Sequence, residues 1–143
     1  MNVSIESVIL FQLDKTSKIA KQYSQREFER LGLGITIEQW ILLKIIQENN
    51  ELSQRELADK SFRDPASITR TLDLLHKVGL IDRQPIPENR RQYQIHLTTK
   101  GEKFITTHMP IIQKHRRKSI EGIPAKDLKK LEGLLLKIQG NMT

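Results

Sequence analysis

The sequence of 143 residues contains no cysteine. This absence excludes disulfide bonds, thiolate nucleophiles, cysteine redox sensing and cysteine-ligated zinc sites. Aromatic residues are also scarce, at 5% of the chain. Apolar residues make up 37% and charged residues 29%. That balance supplies enough apolar material for a core, and the length indicates one globular domain of ordinary size.

Long hydrophobic stretches are missing as well. The longest uninterrupted apolar runs have four residues, Val8 to Phe11 and Trp40 to Leu43. They fall far short of the roughly 18 residues that suggest a membrane span. Residues 1–15 lack a basic segment and a small-residue cleavage site, so no secretory signal is predicted. We therefore expect a cytoplasmic protein with no membrane partner.

The sequence carries none of the common enzyme signatures. It has no Gly-rich phosphate loop, no G-x-S-x-G nucleophile elbow and no H-E-x-x-H zinc motif. His108 and His115 are seven residues apart, which is about 10.5 Å along a helix and too far for one shared ion. We predict no enzymatic activity, no cofactor and no metal.

Positive charge is what the sequence has in excess. Lys and Arg number 24 against 17 Asp and Glu, which gives a net charge of +7. The excess lies in the middle and last thirds of the chain. This pattern is typical of nucleic-acid binders, because phosphate neutralisation dominates their affinity. Charge alone does not separate such a binder from a basic protein with a solvated Lys/Arg face.

In the first half of the chain, two capping boxes of the S/T-x-x-E/Q form mark helix starts, at Thr36–Gln39 and at Ser53–Glu56. In such a box the cap hydroxyl and the third side chain satisfy each other's free backbone donors. We predict one helix from 36 to about 49 and a short one from 53 to about 60. Ahead of them, apolar positions over 4–31 without Pro or Gly predict a long helix.

The next segment changes from helix to strand. Asp64-Pro65 predicts a helix start, because Asp is a good N-cap and Pro at the first helical position loses no hydrogen bond. This helix ends at Gly79. Two short segments follow, 80–83 and 93–97, the second of which alternates with period two. We predict a two-stranded hairpin with a basic tip.

Two helices are predicted at the end of the chain. A capping box at Thr99–Glu102 opens the first, which Pro110 must kink or split. The second covers about 125–140, and its apolar residues recur at alternating spacings of three and four. A heptad-like stripe of this kind requires a partner helix. The stripe consists of Leu128, Leu131, Leu135, Ile138 and Met142.

A helix, a turn, a second helix and a hairpin make a winged helix-turn-helix, in which the second helix lies in the DNA major groove. Four segments carry a family resemblance: Leu52 to Ala58, Asp64 to Leu75, Gly79 to Arg83, and Leu97 to Gly101. In order and spacing they resemble the MarR (multiple antibiotic resistance regulator) family of transcription factors.

The resemblance implies a fold class and a domain plan. The fold is expected to be mainly α with a small β-hairpin wing, a winged helix-turn-helix with N- and C-terminal dimerisation helices. The chain 1–143 is expected to be a single MarR-like domain. Residues of about 1–34 and 103–143 would form the dimerisation helices, and about 36–100 the DNA-binding part.

The resemblance also implies a function. We expect a sequence-specific DNA-binding transcriptional regulator of the repressor type, a homodimer on a palindromic operator in double-stranded DNA. Short hydroxyls and guanidinium groups on the recognition helix and wing reach base edges or phosphates, although a solvated helix surface is the alternative for each. The expected DNA-binding residues are Ser67, Thr69, Arg70, Arg90 and Arg91.

A small-molecule effector is a further expected partner. Tyr23 and Trp40 are candidates for its pocket, as aromatic residues between the dimerisation and DNA-binding parts are in this family, or else they pack in the core. Two other functions stay open at this point. One is a winged-helix protein-interaction module that binds no specific operator, and the other is a repressor without any ligand.

The wing departs from the family pattern at one residue. The family places Asp-x-Arg five residues before its Leu-Thr, and this chain has Asn89-Arg90-Arg91 there. Arg91 is in register, so a minor-groove or phosphate contact is still implied. Asn89 cannot supply the carboxylate that would hold the arginine, so we predict a mobile wing tip. Asp73 is the candidate substitute partner for Arg83 or Arg91.

Overall fold

The computed structural model describes residues 3–49 and 51–143, and for Arg90 the backbone alone. Its regular elements are helices joined by short turns and one small antiparallel sheet. The helices are α1 (Ile9–Arg30), α2 (Ile37–Glu48), α3 (Gln54–Ser61), α4 (Pro65–Lys77), α5 (Thr99–Ser119) and α6 (Ala125–Met142). The strands are β1 (Leu52–Ser53), β2 (Ile81–Ile86) and β3 (Asn89–Leu97).

The predicted helix starts in the middle of the chain are confirmed. Thr36 accepts from the Gln39 N–H at 3.2 Å, and the Gln39 side chain accepts from the Thr36 N–H at 2.9 Å. Ser53 and Glu56 form the same reciprocal pair at 3.1 and 3.3 Å. These boxes satisfy donors that the first helical turn leaves free. They begin α2 and α3 at the predicted residues.

The start of the chain differs from the single helix predicted over 4–31. A 3-10 turn at Ile5–Ser7 comes first, and α1 begins only at Ile9. Val8 separates the two because its backbone is extended, with φ −79° and ψ 123°. Periodicity did not show this break, because the apolar pattern runs on through it.

The predicted hairpin is confirmed as β2 and β3, and the sheet has a third strand, β1, that the sequence did not predict. Strand order is β1-β3-β2, and Leu52 lies opposite Ile95. The missed strand β1 is only two residues long and ends in the capping box of α3. Its pairing partner is more than forty residues further along the chain, where no local signal points to it.

The residue that caps the start of α5 is Thr98, one residue before the predicted Thr99. The Thr98 hydroxyl, and not that of Thr99, accepts from the Gly101 N–H at 3.0 Å. The same hydroxyl donates to the Gly79 carbonyl at 2.6 Å, so it joins the end of α4 to the start of α5. Pro110 lies inside α5, which continues to Ser119 without being split.

The core of the first part of the chain lies beneath α4. Ile68, Leu72 and Leu75 recur at helical spacing and are fully buried. Because they face inward, the intervening residues of α4 face solvent. Other fully buried side chains here are Trp40, Leu43, Leu57, Ile81, Ile95 and Ile105.

The chain divides into two compact units, residues 1–110 and 111–143. The second holds the end of α5 and all of α6. None of the α6 side chains is buried, and Leu131, Leu134 and Leu136 are each about half exposed. Among the residues that the structure describes, no helix is both long enough and apolar enough to cross a bilayer.

Candidate nucleic-acid interface

The N-terminal half of α4 presents polar side chains to solvent. Asp64 caps the helix, and its carboxylate accepts from the Ser67 N–H at 2.9 Å. That hydrogen bond to the charged form holds the pKa of Asp64 below its ordinary value. Ser67 is half-buried, whereas Thr69 and Arg70 are exposed.

An open cleft of about 570 Å³ lies between α3, the start of α4 and the wing. We call it the wing cleft. It brings together two of the predicted DNA-binding residues, Thr69 and Arg91. It also contains residues that the sequence analysis did not select: Gln54, Arg55, Ala58, Asp59, Pro65, Arg83, Gln92 and Tyr93.

The Thr69 hydroxyl is already engaged within the fold. It donates to the Pro65 carbonyl at 3.0 Å and accepts from the Gln54 amide at 2.8 Å. The second bond connects α3 to α4 across the turn of the motif. Thr69 therefore helps to hold the two helices together, and one acceptor lone pair remains for a ligand.

The other predicted residues of α4 line a second cleft, of about 420 Å³, between α2 and α4. Ser67 and Arg70 both face it. Glu38 on α2 lies here between two cations, 2.7 Å from Lys21 and 3.7 Å from Arg63. The structure thus divides the predicted residues of α4 between two sides of the helix.

The wing is attached to α4 by an ion pair. Arg83 on β2 donates to Asp73 on α4 at 2.5 Å, so Asp73 pairs with Arg83, one of the two partners considered from the sequence. Asn89 accepts from the Arg91 N–H at 3.2 Å. The asparagine therefore holds the backbone of the wing tip and leaves the Arg91 side chain exposed. The Arg90 side chain lies outside the described part.

Three exposed arginines surround the start of α4 and form no close ion pair among the described residues: Arg55, Arg70 and Arg91. The charge of Arg70 contributes to lowering the pKa of Asp64. A guanidinium in water presents a fork of donors that fits phosphate oxygens. Arg55 was missed because it stands inside the capping box of α3, where its residue type carries no local signal. Its closeness to the wing depends on tertiary structure.

Tyr23 and Trp40 do not line either cleft. Trp40 is fully buried on α2, with its ring centroid 6.5 Å from that of Phe104. Its Nε1 has no hydrogen-bond partner among the described residues. Tyr23 is half-buried on α1. Within the described residues, no group of three or more His, Asp or Glu side chains is placed to hold a metal ion.

The sequence and the fold were compared with those of known proteins. The model of the MarR family matches residues 35–93, which include α2, the helix-turn-helix and most of the wing. A MarR-family transcriptional regulator from Rhodococcus sp. RHA1 has a TM-score of 0.85 at 22% identity, over 96% of each chain. A MarR/EmrR family regulator from Acinetobacter sp. ADP1 has a TM-score of 0.87 at 18% identity, over 98% of each chain.

A third solved structure is that of S. aureus MepR in complex with DNA. It has a TM-score of 0.80 at 20% identity, and the match covers 94% of this chain and 98% of MepR. At these identities the three structures establish the fold, which is a mainly α winged helix-turn-helix preceded and followed in the sequence by long helices. The MarR family model thus matches the middle of the chain, residues 35–93, and the fold of the chain is similar to that of the solved MarR-family regulators.

Proposed function

We propose that this chain is a sequence-specific DNA-binding transcriptional regulator, a repressor that binds a palindromic operator as a homodimer. The observation that carries the proposal is the set of arginines around the start of α4. Arg55 and Arg91 border the wing cleft and Arg70 borders the second cleft. A helix placed in the major groove would therefore have guanidinium groups on both sides to meet phosphates.

The family supports the same conclusion. The MepR structure is a complex with DNA, and its fold is shared over nearly the whole of this chain. The net charge of +7 favours association with a polyanion. A winged-helix protein-interaction module has no specific observation in its favour, because its docking surface would not need exposed arginines on both sides of α4.

The dimer is supported by apolar surface on each of the two units taken separately. Ile9 and Leu10 at the start of α1 are more than half exposed, and α6 exposes Leu131, Leu134 and Leu136. Exposed apolar side chains on these helices indicate a surface for a partner. A two-fold dimer presents two recognition helices symmetrically, so its half-sites are expected about one helical turn apart, roughly 34 Å.

A small-molecule effector is the remaining part of the proposal. Its support is the buried Trp40 Nε1, because a buried donor without a partner is rare and calls for an acceptor. Tyr23 and Trp40 stay the predicted pocket residues. A screen of small molecules for a raised melting temperature and for release of bound duplex tests this part. A regulator without a ligand would give no hit in either assay.

The proposed function is tested by selecting bound duplexes from a random pool. The expected result is a recovered palindrome with half-sites about 10 bp apart. Recovery of no preferred sequence, together with binding that is equal on all duplexes, contradicts sequence-specific regulation. Absence of any binding at low salt contradicts DNA binding altogether.

The arginines are then separated by their roles. Arg70→Ala is expected to lower affinity for the selected duplex by about 1–3 kcal/mol and to have a smaller effect on random DNA, if Arg70 reads a base. Arg91→Ala is expected to weaken both duplexes alike and to reduce the slope of log K against log salt by about 0.9 per lost phosphate contact. Equal losses on both duplexes for Arg70→Ala would reassign Arg70 to phosphate.

A further inference from the structure

Phe62 is 94% exposed, more than any other large hydrophobic residue that the structure describes. Its backbone has φ 54° and ψ 41°, in the left-handed region. A bulky side chain is disfavoured there because its Cβ approaches the following carbonyl oxygen. This residue therefore combines an unburied aromatic ring with an unfavourable backbone conformation, and neither stabilises the folded chain.

Phe62 stands at the position just after a helix where glycine is usually found. At the end of α3 the Arg63 N–H donates to the Ala58 carbonyl at 3.2 Å and the Phe62 N–H to the Asp59 carbonyl at 3.4 Å. This pair of bonds is the Schellman motif, whose left-handed residue here is Phe62. The helix end itself requires only the backbone conformation and no side chain.

Two other helices of the same chain provide an internal comparison. Helices α1 and α4 end in the same motif, and both have glycine at the left-handed residue, Gly32 with φ 61° and Gly79 with φ 79°. The residue that follows each glycine is a buried leucine, Leu33 or Leu80. Of these three helix ends, only that of α3 has a large aromatic residue in place of the glycine.

The position of Phe62 identifies the surface that it can meet. It stands two residues before Asp64, the N-cap of α4, so its Cα is within about 7.6 Å of the helix start. In a helix-turn-helix the first helix crosses the DNA backbone and the second enters the groove. The turn between them therefore lies at the strand that borders the groove.

The charges beside Phe62 agree with a nucleic-acid partner. Lys60 and Arg63 are exposed on either side of it in the sequence. Arg63 is oriented by Glu38, which lies 3.7 Å from its guanidinium. Phosphates attract these cations, and the deoxyribose between two phosphates offers an apolar surface to the ring. A protein partner would instead require a wide apolar patch, whereas the residues on either side of Phe62, Ser61 and Arg63, are polar and the exposed apolar residues that follow Asp64, Pro65 and Ala66, are small.

We propose that Phe62 is a DNA-contacting residue, whose ring packs on the deoxyribose of the strand that borders the major groove beside a phosphate held by Arg63. This inference rests on the proposed function, because it presumes that the chain binds double-stranded DNA. It adds an apolar contact to an interface that the sequence describes only by its charges.

Phe62→Asn tests the ring without disturbing the helix end, because Asn tolerates the left-handed conformation. We expect this variant to unfold at higher denaturant than the unmodified protein, because the backbone strain is relieved. We expect roughly fivefold weaker binding to the selected duplex and to a random duplex alike, because binding no longer removes part of an aromatic side chain from water. The salt slope of binding should not change, because an apolar contact releases no counterion.

A control variant separates this effect from others. Phe62→Tyr keeps the ring and is expected to bind both duplexes as the unmodified protein does.

The outcomes distinguish this inference from the proposed function. If the unmodified protein binds neither duplex, the proposed function fails and the inference fails with it. If the unmodified protein binds and Phe62→Asn binds equally well, the inference alone is overturned. A loss confined to the selected duplex also overturns it, because the ring would then read a base edge such as a thymine methyl.

Discussion

At the scale of single residues, Gly101 shows how closely α5 approaches the rest of the unit. A Cβ built on Gly101 would overlap the Leu80 carbonyl oxygen and lie 3.3 Å from Leu97 Cδ2. The Leu80 carbonyl also accepts from the Thr98 N–H at 3.2 Å. It is backbone and already bonded, so it cannot move aside as a flexible side chain would.

Gly101→Ala is therefore expected to destabilise the protein, although alanine favours a helix by about 1 kcal/mol over glycine. Overpacking of this kind costs typically about 1–3 kcal/mol, so the steric term should win. Urea unfolding measures the difference. Gly133→Ala in α6, where an added Cβ meets nothing within 4 Å, is the matched control and should be neutral or stabilising. Equal stability of Gly101→Ala and the unmodified protein would show that α5 can shift away.

At the scale of elements, the wing is connected to the recognition helix by the pair of Arg83 and Asp73. The Arg83 side chain is only 20% exposed and that of Asp73 is 59% exposed. Exposed ion pairs contribute about 0.2–1 kcal/mol, because water screens them and ordering two side chains costs entropy. The partial burial of Arg83 places this pair at the upper end of that range.

We expect a double-mutant cycle of Asp73→Ala and Arg83→Ala to give a coupling free energy of about 1 kcal/mol in urea unfolding. Lys18 and Asp14 on α1 are the matched control pair, at 2.9 Å with both side chains largely exposed, and should couple by about 0.3–0.5 kcal/mol. If the first cycle gives no more coupling than the second, the ion pair does not hold the wing.

At the scale of the whole molecule, the proposal of a dimer rests on the apolar stripe of α6. Leaving this hydrocarbon in water is unfavourable by roughly 25 cal/mol per Å², and its spacing of three and four residues suits a facing helix. Because successive helical residues are turned by about 100°, Lys126 and Lys137 lie on the side of α6 opposite this stripe.

Replacing both Leu131 and Leu135 by Glu is expected to give monomers or unfolded chain in analytical ultracentrifugation and circular dichroism. The control, Lys126→Glu with Lys137→Glu, introduces the same two carboxylates on the opposite side and should remain dimeric. A stable, monodisperse monomer of the unmodified protein at micromolar concentration would refute the dimer directly.

The sequence alone was sufficient for features that depend on a few neighbouring residues. The capping boxes at Thr36 and Ser53 and the Asp64-Pro65 start are all of this kind. Each is specified within one helical turn, because a cap bonds to residues two or three positions away. The segments that resemble the MarR family are enough to predict the winged helix-turn-helix.

Tertiary structure decided everything that joins distant parts of the chain. It paired β1 with β3, shifted the cap of α5 to Thr98 and brought Arg55 and Arg91 to the same cleft. It also left the Phe62 ring in solvent, although a large apolar side chain at a helix end is usually buried. These outcomes depend on packing between elements, and residue type and local spacing do not encode which distant surfaces will meet.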